Sequence, residues 1–294
     1  MTRIHQLIQI FCEIDDFCNE LDEYAKHKLL PGDVIKRGPE CGVTVSEIMT
    51  ILIIFQMSGF RNFKTFYCEF LSAYWKQYFP KLPSYQRFVE LIKRPIFALV
   101  LFTQLKSGKR TGIYYVDSSC LPVCHIKRSK RHKTFEDIAK YGKTSIGWFF
   151  GLKLHLVTNQ HGELIAFKLT KANRHDIKSA PFLLRHLKGL AFGDKAYIGK
   201  KTFEELFKSG LKLITRKRKD MRTGITLSEF EQQLLNQRNI IETVIDHLKH
   251  HYQVWHTRHR SIINAMTHLV AALAAYVIEP LKISALKLLA KTQN

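Results

Sequence analysis

Nowhere do the cysteines of this sequence fall into CxxC pairs. The six thiols are Cys12, Cys18, Cys41, Cys68, Cys120 and Cys124, and no two close pairs among them offer the four ligands of a structural zinc site. Cys120, Cys124 and His125 could supply three ligands, but a fourth is missing and they follow a strand. The thiols are therefore expected to be buried, in a protein of the reducing cytoplasm. Long apolar runs are missing too. Glu13, Asp15 and Asp16 break the N-terminal run before it could serve as a leader. The run 265–281 carries His268, Glu279 and Pro280 and falls short of the ~20 residues of a membrane span. It is expected to be a buried helix, with no membrane as partner. Neither an internal repeat nor a low-complexity tract is present.

Acidic residues are also scarce. They number 25 against 46 Lys and Arg, for a formal net charge of +21 and a pI near 9.8. Such an excess, gathered in clusters, favours a polyanionic partner, because each neutralised phosphate releases condensed counterions. A chain of 294 residues has room for a catalytic core and a smaller accessory domain.

Up to about residue 105 the aromatic and aliphatic positions recur at helical spacing. Helices are expected over 46–57, 62–78 and 84–105, the last with a kink at Pro95. With Arg61, Lys64, Lys76, Lys81, Arg87, Lys93 and Arg94 they would suit a helix-turn-helix-like DNA reader. A plain helical core under solvated lysines is an equally good reading of the same pattern. The stretch KSGKR (106–110) reads as a linker. After it the texture turns to strands: 113–118, 148–158 and 163–170, with a hairpin turn at 159–162. A helix over 176–187, a strand over 190–193, a helix over 202–209 and a strand over 211–215 come next. A long helix over 231–251 and a last helix capped by Ser261 complete the order. The expected division is 1–105 helical, 106–282 catalytic and 283–294 a tail. The fold class read from this order is α/β, a ribonuclease-H-like mixed sheet flanked by helices.

Asp117 closes the run IYYVD and Asp194 closes LAFGD. A carboxylate after an apolar strand is costly to bury unless something positive meets it. Either residue alone reads best as a helix cap, but two in one sheet do not. On the expected helix 231–251, Arg238, Glu242 and Lys249 fall within about 40° of one another beside the apolar stripe. That spacing also describes a surface salt-bridge ladder, and Asp246 is a rival acid one turn on. Three carboxylates from separate elements suit two-metal phosphoryl chemistry, in which ions about 3.5–4 Å apart activate the nucleophile and clamp the leaving oxygen. Hard oxygen ligands select magnesium or manganese.

These residues sit in motifs that closely resemble the DDE transposases of bacterial insertion sequences, specifically the group named for insertion sequence 982. The motifs are YYVDSSCLPVC, YGKTSIGWFFGLKLHLV, LTKANRHD, FGDKAYI, NQRNIIETVIDHLK and HTRHRS, with LPSYQRFVEL upstream. The resemblance implies a catalytic triad of Asp117, Asp194 and Glu242 as ligands of Mg2+ or Mn2+, two ions in all. It implies cleavage at the element's terminal inverted repeats, transfer to target DNA, a homo-oligomer on DNA and a place on the bacterial nucleoid. Arg238 and Lys249 match the Arg and Lys of the wider Tyr-x2-Arg-x3-Glu-x6-Lys signature. Two departures stand out: Leu235 holds the Tyr position, and Asp220 stands where relatives tend to have Asn.

The basic clusters then read as DNA contacts. Lys127, Arg128, Lys130, Arg131 and Lys133 follow the first catalytic strand. Arg216, Lys217, Arg218 and Lys219 follow the last, and His256, Arg258, His259 and Arg260 form a third group. Two other readings fit the same residues. One is a ribonuclease-H-like DNA nuclease without strand transfer, and the other an inactive, transposase-derived DNA-binding protein.

Overall fold

The computed structural model describes residues 3–28, 42–216, 227–255, 259–280 and 282. They form two compact units, one made of the described residues within 1–106 and 251–278, the other of those within 107–250 together with 279, 280 and 282.

The first unit is helical. Helix α1 (Arg3–Lys28) precedes α2 (Val45–Met57), which starts at a capping box: Thr44 Oγ1 accepts from the Glu47 amide, and the Thr44 amide donates to Glu47 Oε2 at 2.7 Å. Nearly every side chain of α2 is buried, as expected of a helix that is apolar all round. The single helix expected over 62–78 is segmented. Asn62 caps α3 (Phe63–Thr65), a π-helical stretch Phe66–Leu71 follows, then α4 (Ser72–Tyr74) and a 3-10 turn Lys76–Tyr78. The expected kink at Pro95 is a full break between α5 (Tyr85–Leu91) and α6 (Ile96–Leu105), with Pro95 at the N-cap. The aromatic stripes are core. Phe66, Tyr67 and Phe88 are buried, and the Tyr67 and Phe88 rings lie 4.8 Å apart.

The second unit is built on one mixed sheet. Its strands are β1 (Ile113–Cys124), β2 (Lys140–Lys143), β3 (Trp148–Asn159), β4 (Leu164–Lys171), β5 (Gly189–Gly193) and β6 (Leu211–Thr215). Antiparallel β3 lies beside β1, with β2 and β4 sharing its other edge, while β5 and β6 extend the sheet in parallel on the far side of β1. Helices α7 (Ala180–Leu184), α8 (Lys200–Lys208), α9 (Glu229–Asn236) and α10 (Asn239–His250) complete the unit. Tyr114, Val116, Val157 and Ala191 pack under Leu183, Leu184 and Leu206. This is the ribonuclease-H-like α/β fold that the element order implied. The strand β2 and the 3-10 turn Ile126–Arg131 were not expected, and the expected helix over 176–187 is a 3-10 turn (Asp176–Ser179) followed by the short α7.

Helix α11 (Ile262–Ile278) packs on α2 and α6 of the first unit. The expected catalytic range 106–282 therefore does not coincide with one compact unit. The reason is physical: Ala271 to Tyr276 are all buried, so α11 needs cover on every side. Gln56 also reaches from α2 to the His268 carbonyl. The expected tail lies outside the described residues. Among these no helix is long and apolar enough to cross a membrane. Nor are the thiols buried as expected. Cys12 and Cys68 are exposed, and on β1 Cys120 and Cys124 are only half-buried, because Leu121 and Val123 take the core side. Cys41 lies outside the described residues.

One glycine fixes the edge at which β5 enters the sheet. Gly189 has φ +107°, and a Cβ there would stand 2.2 Å from the Gly112 carbonyl oxygen. Because Gly112 is the acceptor for the Leu190 amide, relief by backbone movement would open the β1–β5 pairing. Gly189→Ala is expected to cost on the order of 2–4 kcal/mol. A denaturant midpoint unchanged from the parent would show the edge to be more pliable than this geometry implies.

Candidate active site

Asp117 does not end its strand. β1 runs on through Cys124, still paired with β3 as far as Phe150, so the carboxylate projects from mid-strand. Its side chain is 20% exposed, and the Ser118 amide donates to Oδ1 at 2.7 Å. β5 does end where expected. Val116 pairs with Gly193, and Gly193 with Thr215. Asp194 and Arg216 are therefore the first residues past the ends of β5 and β6, next to the row in which Val116, Gly193 and Thr215 pair, and Asp194 caps the 3-10 turn Lys195–Tyr197. Asp194 and Arg216 are both exposed.

The third acid comes from the helical segment. The continuous helix expected over 231–251 is two helices. α9 starts at a capping box between Ser228 and Glu231 and ends at Asn236, and α10 begins at Asn239. Arg238 lies in the break and not on a shared helical stripe. From there its guanidinium, 15% exposed, donates from Nη1 to Asp117 Oδ2 at 3.1 Å and from Nη2 to Glu242 Oε1 at 2.5 Å. Acids from β1 and α10 thus share one cation. The rival acid does not join them, since Asp246 is exposed and lies 3.7 Å from Lys249.

Burial is the chief cause that lifts the Asp117 carboxyl to about 6, and the Asp194 and Glu242 charges add to it. The Ser118 amide and Arg238 oppose the shift. Asp117 therefore stands among negative charge as well as out of water. Sequence reasoning passed over Tyr197 within FGDKAYI. Its hydroxyl is buried, and burial together with the charges of Asp176, Asp117 and Asp194 holds its proton well above the usual range. It also passed over Lys153, which donates to Asp176 at 2.9 Å and ties the LTKANRHD loop to β3.

The expected DNA-contacting residues scatter. Lys249 is on α10, seven residues and so roughly 10 Å along the axis from Glu242; its side chain is 17% exposed. Lys127, Arg128, Lys130, Arg131 and Lys133 are exposed. They lie beyond Cys124, seven residues or roughly 23 Å of strand from Asp117. They do not flank the acids as the sequence order suggested, because β1 continues past Asp117. Arg260 is exposed and belongs to the first unit. Lys217, Arg218, Lys219, Asp220, His256 and Arg258 lie outside the described residues.

Both the sheet order and the convergence of acids agree with what sequence comparison returns. The profile of the family described as transposase DDE domain matches residues 107–262. The chain belongs to this family. No curated protein matches it. A DDE transposase binds DNA and uses divalent metal ions, and the residues present fit such an ion. Two of the three acids already converge on a cation, the guanidinium of Arg238, and the donors are hard carboxylate oxygens of the kind that hold magnesium and manganese.

Proposed function

We propose that this chain is the transposase of a bacterial insertion sequence, of the group of insertion sequence 982, and that Asp117, Asp194 and Glu242 hold its catalytic ions. In this reading it cuts at the element's terminal inverted repeats and joins the ends to target DNA as a homo-oligomer on the nucleoid. The observation that carries it is the bridge from Asp117 through Arg238 to Glu242, with the Asp194 charge acting on Asp117 from just past the end of β5. Two divalent ions bound there would supply an activated water or 3′-hydroxyl and stabilise the leaving oxygen. Asp117 must be ionised to serve, so loading strengthens as pH rises through about 6. Arg238, once released from the carboxylates, lies within reach of a phosphate at the same place, and exposed Arg216 directly follows the end of β6. Residues 1–105, and Lys249, Arg216–Arg218, Arg258 and Arg260, are assigned to DNA contact on charge.

Incubating the protein with a labelled duplex of the DNA that flanks its gene tests this. Magnesium or manganese should give cleavage at the repeat end followed by a joined product, and calcium binding alone. Cleavage without joining would favour the nuclease reading, and robust cleavage in excess chelator would remove the metal from the mechanism. Binding without any cleavage would leave a transposase-derived DNA-binding protein.

A further inference from the structure

The hairpin of β2 and β3 carries side chains that neither the catalytic acids nor the core uses. Its turn closes through the Thr144 amide to the Gly147 carbonyl at 2.9 Å. At the tip Ile146 is 98% exposed and Trp148 61%, and Tyr141 is exposed beside them. Leaving an indole and an isoleucine in water forgoes the gain of burying them, so this tip presents an apolar wedge. The hairpin is held firmly from below. Lys143 stands over the Trp148 ring at 5.8 Å, the Tyr141 ring packs on Phe150 at 5.1 Å, and the Tyr141 hydroxyl bonds Ser129 Oγ at 2.8 Å.

The last bond joins the hairpin to the most basic segment of the unit. Ser129 sits within the 3-10 turn Ile126–Arg131, whose Lys127, Arg128, Lys130 and Arg131 are exposed, and Lys140 and Lys143 add to the same end of the sheet. Apolar side chains ringed by cations fit duplex DNA, whose phosphates meet the lysines while a wedge or an indole enters between base pairs. The strand register also gives the tip a position. Trp148, Phe150, Leu152, Leu154 and Leu156 alternate onto one face of β3, and Leu156 pairs with Asp117. Trp148 therefore lies on the face that carries Asp117, eight residues or roughly 26 Å along the strand.

We infer that the β2–β3 hairpin is a DNA-interaction element, with Ile146 and Trp148 entering the base stack on the face of the sheet that carries Asp117, roughly 26 Å along β3 from it. The separation rests on the proposed role of Asp117, whereas the contact itself rests on the hairpin alone.

The test uses the full chain and a random-sequence duplex of about 40 base pairs bearing 5-iodouracil, with a salt titration of binding. Irradiation should crosslink DNA to Trp148 or Tyr141. Trp148→Ala should weaken binding about tenfold at an unchanged salt slope, and Trp148→Phe should restore most of it. Lys143→Gln should instead flatten the slope by about one unit. Ile146→Ser, at a side chain almost wholly in water, gives a variant that cannot fail through folding and should also weaken binding. Parental affinity in both Trp148→Ala and Ile146→Ser would overturn the inference. So would an altered oligomeric state at parental affinity, which would make the hairpin a contact between copies. If the parent cuts DNA while these variants bind normally, only this inference falls. If the parent binds through the hairpin but never cuts, only the reading of the acids falls.

Discussion

Asp117→Asn is expected to abolish DNA cleavage, by a factor of at least about a thousand, and yet to make the metal-free protein more stable. The two effects share one cause. The Asp117 carboxyl titrates at about 6 in the folded chain and near 3.9 in the unfolded one. Between these values the folded state binds more protons, so stability falls as pH rises from about 4 to about 6 and stays lowered above. Asn carries no charge and removes that cost, roughly 1–3 kcal/mol near neutral pH, while keeping an oxygen that can accept from Arg238. Melting curves in chelator should show the variant a few degrees above the parent at pH 7.5 and level with it near pH 4. Magnesium should raise the parent's melting temperature and not the variant's. A variant that cleaves, or one that melts lower than the parent at neutral pH, would contradict this account.

Arg238→Gln is expected to move metal affinity and activity in opposite directions. The guanidinium holds Asp117 and Glu242 together, so an incoming ion must displace it. Without it the metal-free protein should lose roughly 1–3 kcal/mol, less than for a fully buried pair because Glu242 is half exposed. Half of the thermal shift should then be reached at a lower magnesium concentration, since no internal cation competes. Cleavage should nevertheless fall about a hundredfold, if the guanidinium moves to phosphate once released. Single-turnover rates at saturating magnesium separate the two effects. An unchanged rate would make Arg238 a structural clasp and nothing more.

The sequence made the sheet legible wherever β-branched and aromatic residues gather, as in IYYV and LKLIT. It hid the second half of β1, because SSCLPVC contains a proline and little β-branching although it pairs with β3 on both sides of a bulge at Val123. The short β2 gave no periodicity to read. An apolar stripe continues across the break between α9 and α10, which is why the two looked like one helix and why the angular argument for Arg238 failed. Its contact with Glu242 survives by a different route, from the turn before α10. The meeting of Asp117 with Glu242 is a long-range event that no local pattern encodes; the family motifs suggested it. The unit that α11 joins was likewise hidden, since a helix buried on all sides does not say which neighbours bury it.

The central claim is that Asp117, Asp194 and Glu242 hold the metal that cuts DNA. Anomalous scattering from crystals soaked in manganese addresses it directly. The account predicts peaks bonded by Asp117 and Asp194, with Glu242 completing the set and Arg238 withdrawn from the carboxylates. Manganese bound only elsewhere, with Arg238 still bridging Asp117 and Glu242, would contradict it.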